Sequence, residues 1–430
     1  MHILPGARRR HCFVKVIIFL ILTASITAIV GCTDGGGQGL PPSKDLEIQD
    51  WYDLNAVRDN LEGNHILMND LNSTTPGYEE LAGPTANQGK GWEPIGIYHP
   101  DEAVAYTGLT GTFDGEGYEI RDLFVNRPDE GYVGLFAAVD RTGVTRDICL
   151  VNVSVVGDYD VGSLVGKNDG TLSNSCSSGN IAGRSRVGGL SGSNIGTVSN
   201  SYSTGAVGGE WHVGGLVGDS EGIVNHSYFA GSVTGNQYVG GLVGSNDNTV
   251  SKSHFRGEVT GLSFVGGLVG SNVLGDVFES YSTGNVTGYG YVGGLVGWNY
   301  GVVSNSSCTG SVTGTNCAGG LVAKNLDTVD KCYSTGRVTG DKRVGGLVGA
   351  NYYDGIDRYA IVSSSFWDIE TSGQSTSSGG AGKNTTEMKN LAMFSYAGWN
   401  ITAVAVNETN PAYIWNIVDD VTYPFLAWQA

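Results

Sequence analysis

The sequence lacks the signature motifs of the common hydrolases and metal enzymes. Its seven histidines form no HExxH pair, which excludes a zinc protease site of that kind. It has no Gly-x-Ser-x-Gly elbow and no Cys-x-x-Cys pair. Gly162–Lys167 is one residue short of a phosphate-binding loop, and Asn168 stands where that loop needs Ser or Thr. We therefore expect no catalytic residue, no cofactor and no metal.

Basic side chains are scarce. The chain has 24 Lys and Arg against 42 Asp and Glu, a formal net charge of −18. Four of the basic and none of the acidic residues lie within residues 1–31, so the chain without that segment carries −22. This charge argues against nucleic acids and anionic membrane surfaces as partners.

Cysteine is also rare, with seven residues in all. Five of them follow Cys32, and an odd number cannot all pair with one another. We expect these five to be small core or turn residues rather than a disulfide framework or a zinc site. They are Cys149, Cys176, Cys308, Cys317 and Cys332.

The N-terminal segment has the features of an export signal. A basic stretch precedes the apolar run Val16–Val30, which contains no acidic residue. The run ends in Ile29-Val30-Gly31-Cys32, which resembles the lipobox of secreted lipoproteins. That resemblance implies a signal peptide over residues 1–31, a lipid-modified Cys32 and a flexible tether over residues 32–45. The alternatives are an ordinary signal peptide and a single membrane anchor.

Glycine is abundant, at 69 residues, but no Gly-X-Y triplet runs through the chain, which excludes collagen. The glycines instead belong to a repeat of 26 residues between about Val133 and Gly349. Eight full copies align, with steps of 26 residues and one step of 27. They begin at Val161, Val187, Val213, Val239, Val265, Val292, Ala318 and Val344.

The columns of this repeat predict the fold. The second position is always Gly, the fourth is always Leu, and the eighth is Asn except at Ser220. Short β-branched runs between Gly and Asn are too short for helices, and one unit cannot bury its own apolar face. We therefore predict an all-β protein, a right-handed parallel β-helix with coils of about 26 residues and a cap at each end. The asparagines should form a side-chain ladder from coil to coil.

One register cannot be decided from the pattern. Ser201 and Tyr202 are neighbours in each repeat and cannot both face inward on a regular strand. The Ser column is the more uniform, whereas Tyr is the more natural core residue. Both interpretations stand at this point.

The flanking regions are expected to close the ends of the solenoid, whose edge strands need cover. We assign residues 46–132 to an N-terminal cap with irregular coils, 133–366 to the repeats and 367–430 to an aromatic C-terminal cap. Asp50–Leu61 is predicted as an amphipathic helix and Thr386–Phe394 as a second short helix.

The repeat motif Val-Gly-Gly-Leu-Val-Gly, followed by Asn and an Asn-Ser-Tyr-Ser-Thr-Gly-like strand, resembles the GLUG-repeat proteins. Gly215-Leu216-Val217-Gly218 matches the core of that motif, and Ser191 and Ala323 depart from it in two copies. The resemblance covers about residues 50–430. It implies a surface-exposed β-solenoid of the kind found in secreted adhesin-like proteins and beside the protease part of some immunoglobulin-cleaving metallopeptidases. It implies no activity.

One variable column is a candidate ligand-binding surface. The position before the conserved Val is aromatic in four successive coils, at His212, Tyr238, Phe264 and Tyr291. If this column faces solvent, it is a ladder of rings about 4.8 Å apart that suits sugar rings or an apolar patch of a partner. The alternative is a half-buried bend position, because Asp160, Arg186, Cys317 and Arg343 occupy the same column elsewhere.

Three functions remain compatible with the sequence. The first is a non-catalytic, lipid-tethered or secreted cell-surface protein that contacts glycans, matrix or other surface proteins. The second is a carbohydrate-active β-helix enzyme, which would need three or more carboxylates converging in one groove. The third is a passive spacer of the cell envelope. The aspartates of the repeats fall in different columns, which disfavours the enzyme: Asp158, Asp160, Asp219, Asp247 and Asp276.

Overall fold

The computed structural model describes residues 45–98, 106–352 and 360–429. The predicted signal peptide, Cys32 and all of the predicted tether except Asp45 lie outside the described residues. No helix among the described residues is both long enough and apolar enough to cross a membrane.

The chain winds through four parallel sheets, which we number 1 to 4 and whose residues are given below. Each full repeat begins in sheet 3 and then contributes strands to sheet 4, sheet 1 and sheet 2. Sheet 1 consists of Leu46–Ile48, Asn64–Leu67, Thr112–Asp114, Val144–Arg146, Thr171–Ser173, Thr197–Ser199, Ile223–Asn225, Thr249–Ser251, Asp276–Phe278, Val302–Ser304, Thr328–Asp330 and Ile361–Ser363. Sheet 2 consists of Glu119–Arg121, Phe124–Asn126, Cys149–Val156, Cys176–Ala182, Tyr202–Gly208, Tyr228–Thr234, His254–Gly261, Tyr281–Ser282, Asn285–Gly288, Ser307–Cys308, Val312–Gly314, Tyr333–Ser334, Val338–Gly340, Phe366–Asp368 and Ala381–Lys383.

Sheets 3 and 4 carry the conserved core of the repeat. Sheet 3 consists of Tyr159–Val161, Ser185–Gly188, Trp211–Gly214, Gln237–Gly240, Ser263–Gly266, Tyr291–Gly293, Cys317–Gly319 and Val344–Gly345. Sheet 4 consists of Phe136–Val139, Val165–Asn168, Ser191–Asn194, Val217–Ser220, Val243–Asn246, Val269–Asn272, Val296–Asn299, Val322–Asn325 and Val348–Asn351. Ile97–Tyr98 and Tyr106–Thr107 form a hairpin, and Ile401–Ala403, Trp415–Ile417 and Phe425–Leu426 form a small sheet.

The register of the sheets confirms the predicted β-solenoid. Equivalent residues of successive coils pair directly, as Val187 does with Val213 and Asn168 with Asn194. The Leu column is fully buried in all eight copies and forms the aliphatic spine of the core. Because each coil buries its apolar side chains against its neighbours, the array is stable only as a stack.

The asparagine column forms the predicted ladder. Asn168 Nδ2 donates to Asn194 Oδ1 at 2.8 Å, and the same bond links Asn272 to Asn299 and Asn299 to Asn325. These amides are buried, and most also donate to a main-chain carbonyl of the adjacent turn. The ladder therefore satisfies polar groups that would otherwise be unpaired in the core.

The open register is resolved in favour of the Ser column. Ser201 is buried, whereas Tyr202 is half-buried on the outer face of sheet 2. Each buried Ser accepts a hydrogen bond from the backbone N–H of its equivalent in the preceding coil, as Ser227 does from Ser201 at 3.2 Å. Its hydroxyl donates to the carbonyl two residues earlier, as Ser201 does to Ser199 at 2.7 Å. Tyr cannot replace this compact bridge between coils.

A glycine column is required where the bends of sheet 3 approach sheet 4. A Cβ at Gly218 would lie 2.5 Å from the carbonyl carbon of Arg186, the bend residue of the preceding coil. Arg186 has a left-handed backbone, with φ of 52°. Ala323 is the exception, and the bend residue of the coil before it, Tyr291, has no positive φ. The departure of Ala323 from the motif therefore accompanies a change of bend geometry.

The cysteine prediction was wrong for one pair. Cys149 and Cys176 face each other in sheet 2 and form a disulfide, with Cα atoms 4.4 Å apart. Cys149 lies in the degenerate repeat before the first full copy, so its alignment with Cys176 is obscured in the sequence. The remaining three are free and buried, as expected of core residues: Cys308, Cys317 and Cys332. A disulfide of this kind is typical of an oxidising compartment.

Short helices flank the solenoid. The helix predicted over Asp50–Leu61 is α-helical only over Trp51–Ala56, continues as a 3₁₀ turn over Val57–Asp59, and is capped by Asp50. The second predicted helix is divided at Asn390, whose extended backbone ends Glu387–Lys389 and whose side chain caps Leu391–Tyr396. Further short helices are Tyr78–Leu81, Ala86–Gly89, which contains non-helical residues, and Ile369–Ser372.

Candidate functional site

The predicted aromatic column lies at a bend in the strands of sheet 3. His212, Tyr238 and Phe264 have left-handed backbones, with φ of 52°, 55° and 54°. All four side chains of the column, Tyr291 included, are half-buried. The structure therefore brings the four residues together and places them in the half-buried bend position that was one of the two interpretations.

The rings of this column stack along the axis of the solenoid. Tyr238 and Phe264 are 5.0 Å apart and nearly parallel, and Phe264 and Tyr291 are 5.5 Å apart at 9°. His212 is tilted by 65° to Tyr238. Because stacked rings cover one another's faces, the interior rings offer a ligand their edges and the tyrosine hydroxyls. Stacking of a sugar on a ring face is therefore confined to the ends of the column.

Residues of sheet 4 lie against the aromatic column. Ser245 and Ser271 are small and buried at the position where later coils carry Trp298 and Lys324. The Trp298 ring stacks on Phe264 at 4.8 Å, and Lys324 Nζ lies 5.3 Å from the Trp298 ring and 5.3 Å from the Tyr291 ring. These cation–π contacts hold Lys324 over the aromatic surface.

We call this surface the aromatic strip, defined by His212, Tyr238, Phe264, Tyr291 and Trp298. Sequence reasoning missed Trp298, although it is the only aromatic residue in its column of the aligned copies. Beside it lies a small cavity of about 220 Å³, lined by Ser271, Val273, Trp298 and Tyr300.

The N-terminal end of the strip is charged. Arg186 holds Asp160 with two bonds of 2.5 and 2.7 Å, and Asp160 is buried. Burial raises the pKa of Asp160, and the Arg186 guanidinium opposes this rise. Both carboxylate oxygens are therefore engaged in an ion pair that links two coils. His212 Nδ1 lies 3.6 Å from Asp219 Oδ2 at the junction with the strip.

A second cavity, of about 680 Å³, lies against the N-terminal cap. Its charged lining residues are Arg58, Asp59, Glu93, Arg127, Asp129 and Glu130. Burial raises the pKa of Glu130, but hydrogen bonds from Lys90 and Arg127 outweigh that effect and leave the pKa below its usual value. A general acid for glycoside cleavage needs a raised pKa, so Glu130 is unsuited to that role. Within the described residues, no cluster of three His, Cys, Asp or Glu can hold a metal ion.

A second aromatic ladder lies on sheet 2, which we call the tyrosine column. Tyr202, Tyr228, His254 and Tyr281 stack with ring separations of 4.8 to 4.9 Å and angles of at most 12°. Burial lowers the pKa of His254 to about 4, so this ring is neutral in the stack. The sequence contained the signal in the Tyr that usually follows the Ser column, but only the burial of the Ser shows that the Tyr faces outward.

The comparisons with known proteins agree with the repeat architecture. The GLUG motif, as a family model, matches residues 235–260, 288–313 and 314–339. These three repeats are GLUG motifs. Each matched segment spans one coil of the solenoid. The first contains Tyr238 of the aromatic strip and His254 of the tyrosine column, and the second contains Tyr291 and Trp298 of the strip.

Two curated relatives share about a third of the chain. Halomucin of Haloquadratum walsbyi is 36% identical over 155 residues, which is 36% of this chain and 2% of that protein. A protein of Evansella cellulosilytica named as a Gly-rich membrane protein is 36% identical over 172 residues, which is 37% of this chain and 17% of that protein. The chain thus matches only a small part of either relative.

The solved structures that match include one from Bacteroides ovatus that is named as an immunoglobulin A1 protease. It is 16% identical and covers 91% of this chain and 94% of its own, with a TM-score of 0.37. A similarity of that size carries no weight for function.

Proposed function

We propose that this chain is a non-catalytic, exported repeat protein of the cell surface that binds glycans, matrix or other surface proteins through the aromatic strip. The observation that carries this proposal is that the constant and the variable columns of the repeat have different roles. The constant Gly, Leu and Asn columns build the scaffold, and the variable columns next to them place aromatic residues from successive coils on one surface.

The accessible groups of the strip favour a ligand that contacts the edges of its rings. The rings of the strip offer apolar edges and the hydroxyls of Tyr238 and Tyr291, and Lys324 adds a cation beside them. A polymer rich in hydroxyl groups, or an apolar patch of a partner protein, meets these groups. The repetition of the strip over several coils suits an extended ligand.

Surface location is supported by three independent observations. The relatives are Halomucin and a protein named as a Gly-rich membrane protein, the disulfide Cys149–Cys176 suits an oxidising compartment, and the N-terminus resembles a lipoprotein signal. The lipid anchor itself is tested by labelling cells with a tagged fatty acid. We expect Cys32→Ser to lose the label and the membrane fraction to lose the protein.

The binding proposal is tested on glycan and matrix-protein arrays with residues 33–430. The test variant is Tyr238→Ala/Phe264→Ala/Tyr291→Ala. The matched control, scored on the glycan array, is Tyr202→Ala/Tyr228→Ala, which removes rings of the same stacking geometry from a different face. Both variants are first checked by circular dichroism and urea unfolding.

We expect binding to be about tenfold weaker or worse in the strip variant and unchanged in the control, since each aromatic contact contributes up to about tenfold. Equal binding by all three proteins would contradict the proposal. Absence of binding to any glycan or surface protein would favour the passive spacer.

The cap cavity keeps the carbohydrate-active enzyme as a second candidate, because it gathers four carboxylates in one place. A reducing-end assay over a panel of polysaccharides tests it. Product that disappears in Glu130→Gln would support the enzyme. We expect no product, because Glu130 is tied to Lys90 and Arg127.

A further inference from the structure

Trp428 of the C-terminal region covers one half of the tyrosine column. The Trp428 ring lies 5.5 Å from Tyr281 and 6.2 Å from His254, tilted by 35° and 37°. Two coils beyond Tyr281, at the equivalent position of sheet 2, Tyr333 is buried against Trp399 and Trp415. The chain thus packs its own indole rings against aromatic residues at this position of sheet 2.

Each of the three indoles is also held by a hydrogen bond to the corner before the column. Trp428 Nε1 donates to the carbonyl of Glu279 at 3.0 Å, and Trp399 Nε1 donates to the carbonyl of Ser364 at 2.8 Å. Trp415 Nε1 donates to Asn305 Oδ1 at 3.4 Å. Glu279, Asn305 and Ser364 occupy the same repeat position, two residues before Tyr281, Ser307 and Phe366, which align with one another in sheet 2.

These contacts form a recurring mode of binding. One indole lies against the column, and its N–H bonds to the left-handed corner residue, which has φ of 47° in Glu279 and 44° in Asn305. Because the coils repeat, the same arrangement of corner and ring continues toward the N-terminus. Asn200 and His226 are the corner residues there, with φ of 48° and 46°.

The cap leaves that part of the column uncovered. Tyr202 and Tyr228 stack on each other at 4.8 Å, and no aromatic residue of the described cap contacts either ring. On the same strands, Thr204 and Ala230 are small and half-buried, so the surface beside the two rings is open. The uncovered coils thus keep both elements of the recurring mode.

We propose that Tyr202 and Tyr228, with their corner residues Asn200 and His226, form a docking surface for an extended protein segment that carries a tryptophan. The segment lies beside Trp428 as a continuation of the cap. The proposal is independent of the aromatic strip, which lies on the bends between sheets 3 and 4.

The probe is the peptide Pro-Phe-Leu-Ala-Trp-Gln, copied from residues 424–429, with Trp replaced by Ala in a control peptide. Titration calorimetry with residues 33–430 measures its affinity. We expect saturable binding that is about tenfold weaker in Tyr202→Ala/Tyr228→Ala, because two aromatic contacts are lost. The strip variant Tyr238→Ala/Phe264→Ala/Tyr291→Ala should bind the peptide as the unmodified chain does.

A further variant, Trp428→Ala, uncovers His254 and Tyr281 and should bind the peptide more tightly or at a second site. Urea unfolding of each variant shows whether the solenoid is intact. Equal affinity of the unmodified chain and Tyr202→Ala/Tyr228→Ala, or equal binding of the Ala peptide, would overturn the proposal.

Sedimentation of the unmodified chain identifies one source of the segment. A dimer that is lost in Tyr202→Ala/Tyr228→Ala would show that a second copy supplies it and would support the docking surface. If the strip variant binds the glycan and matrix arrays as the unmodified chain does, the proposed function is contradicted. The results expected for the peptide do not depend on that outcome, so the two proposals can fail separately.

Discussion

Replacing Ser220 by Asn should stabilise the solenoid, because Ser220 interrupts the asparagine ladder. Asn194 Nδ2 donates to the Ser220 hydroxyl at 3.2 Å, but that hydroxyl donates to the carbonyl of Gly222 and not to the next coil. The next rung is Asn246, whose Oδ1 is buried and has no hydrogen-bond partner among the described residues. The amide-to-amide bonds elsewhere in the ladder are 2.7 to 2.9 Å long.

An Asn at position 220 would supply the missing donor to Asn246 Oδ1. A buried acceptor without a partner costs about 1–3 kcal/mol, whereas a net hydrogen bond contributes about 0.5–1.5 kcal/mol. Ordering a longer side chain offsets part of the gain. We therefore expect the free energy of unfolding to rise by about 1 kcal/mol. Urea unfolding followed by circular dichroism should show a higher midpoint at an unchanged m value.

The matched control creates the same interruption two coils away. Asn272→Ser removes the donor that bonds to Asn299 Oδ1 at 2.8 Å. We expect it to lower the free energy of unfolding by about 1–2 kcal/mol, because a buried acceptor is left unpaired. If Ser220→Asn is neutral or destabilising while Asn272→Ser destabilises, Asn246 is not the unmet partner and the reasoning is refuted.

Four further substitutions test the account by urea unfolding. Arg186→Ala leaves the buried Asp160 without its counterion and should cost about 2–3 kcal/mol, whereas Arg184→Ala breaks a solvent-exposed pair and should cost much less; equal losses would contradict this. The pKa of His254 is lowered by burial from 6.5 to about 4, so only the unfolded chain takes up a proton as pH falls from 6.5 toward 4, and stability falls in that window. His254→Tyr should lose less stability than the unmodified chain there, by roughly 1–2 kcal/mol after solvent screening, and parallel pH profiles would disprove the assignment. Cys332→Ser restores the Ser column and should change the free energy of unfolding by less than about 1 kcal/mol, and a larger loss would show that the thiol is needed there.

The sequence predicted the solenoid because identical residues recur at a spacing that places them in neighbouring coils. The Leu and Asn columns are buried where the alignment placed them. The choice between Ser201 and Tyr202 was beyond the pattern, because the left-handed corner at Asn200 breaks the simple alternation of a strand. It is decided by bonds from backbone N–H to Ser Oγ between coils, which no single repeat reveals.

The candidate site was predicted in part. The aromatic residues before the conserved Val were found from their recurrence, but their half-burial and the contact of Trp298 with Phe264 depend on how the side chains lean across sheet 4. The residues of the tyrosine column could be read in the sequence, but their arrangement as one outer surface could not. Its cover by Trp428 joins residues almost 150 positions apart, which a local pattern cannot show.

The central claim is that the constant columns carry the fold and the variable columns carry binding. The most direct measurement compares array binding and urea unfolding for the unmodified chain, Ser220→Asn and the strip variant Tyr238→Ala/Phe264→Ala/Tyr291→Ala. We predict that Ser220→Asn raises stability and leaves binding unchanged, while the strip variant keeps a folded solenoid and loses binding. Loss of binding in Ser220→Asn, or full binding by the strip variant, would contradict the claim.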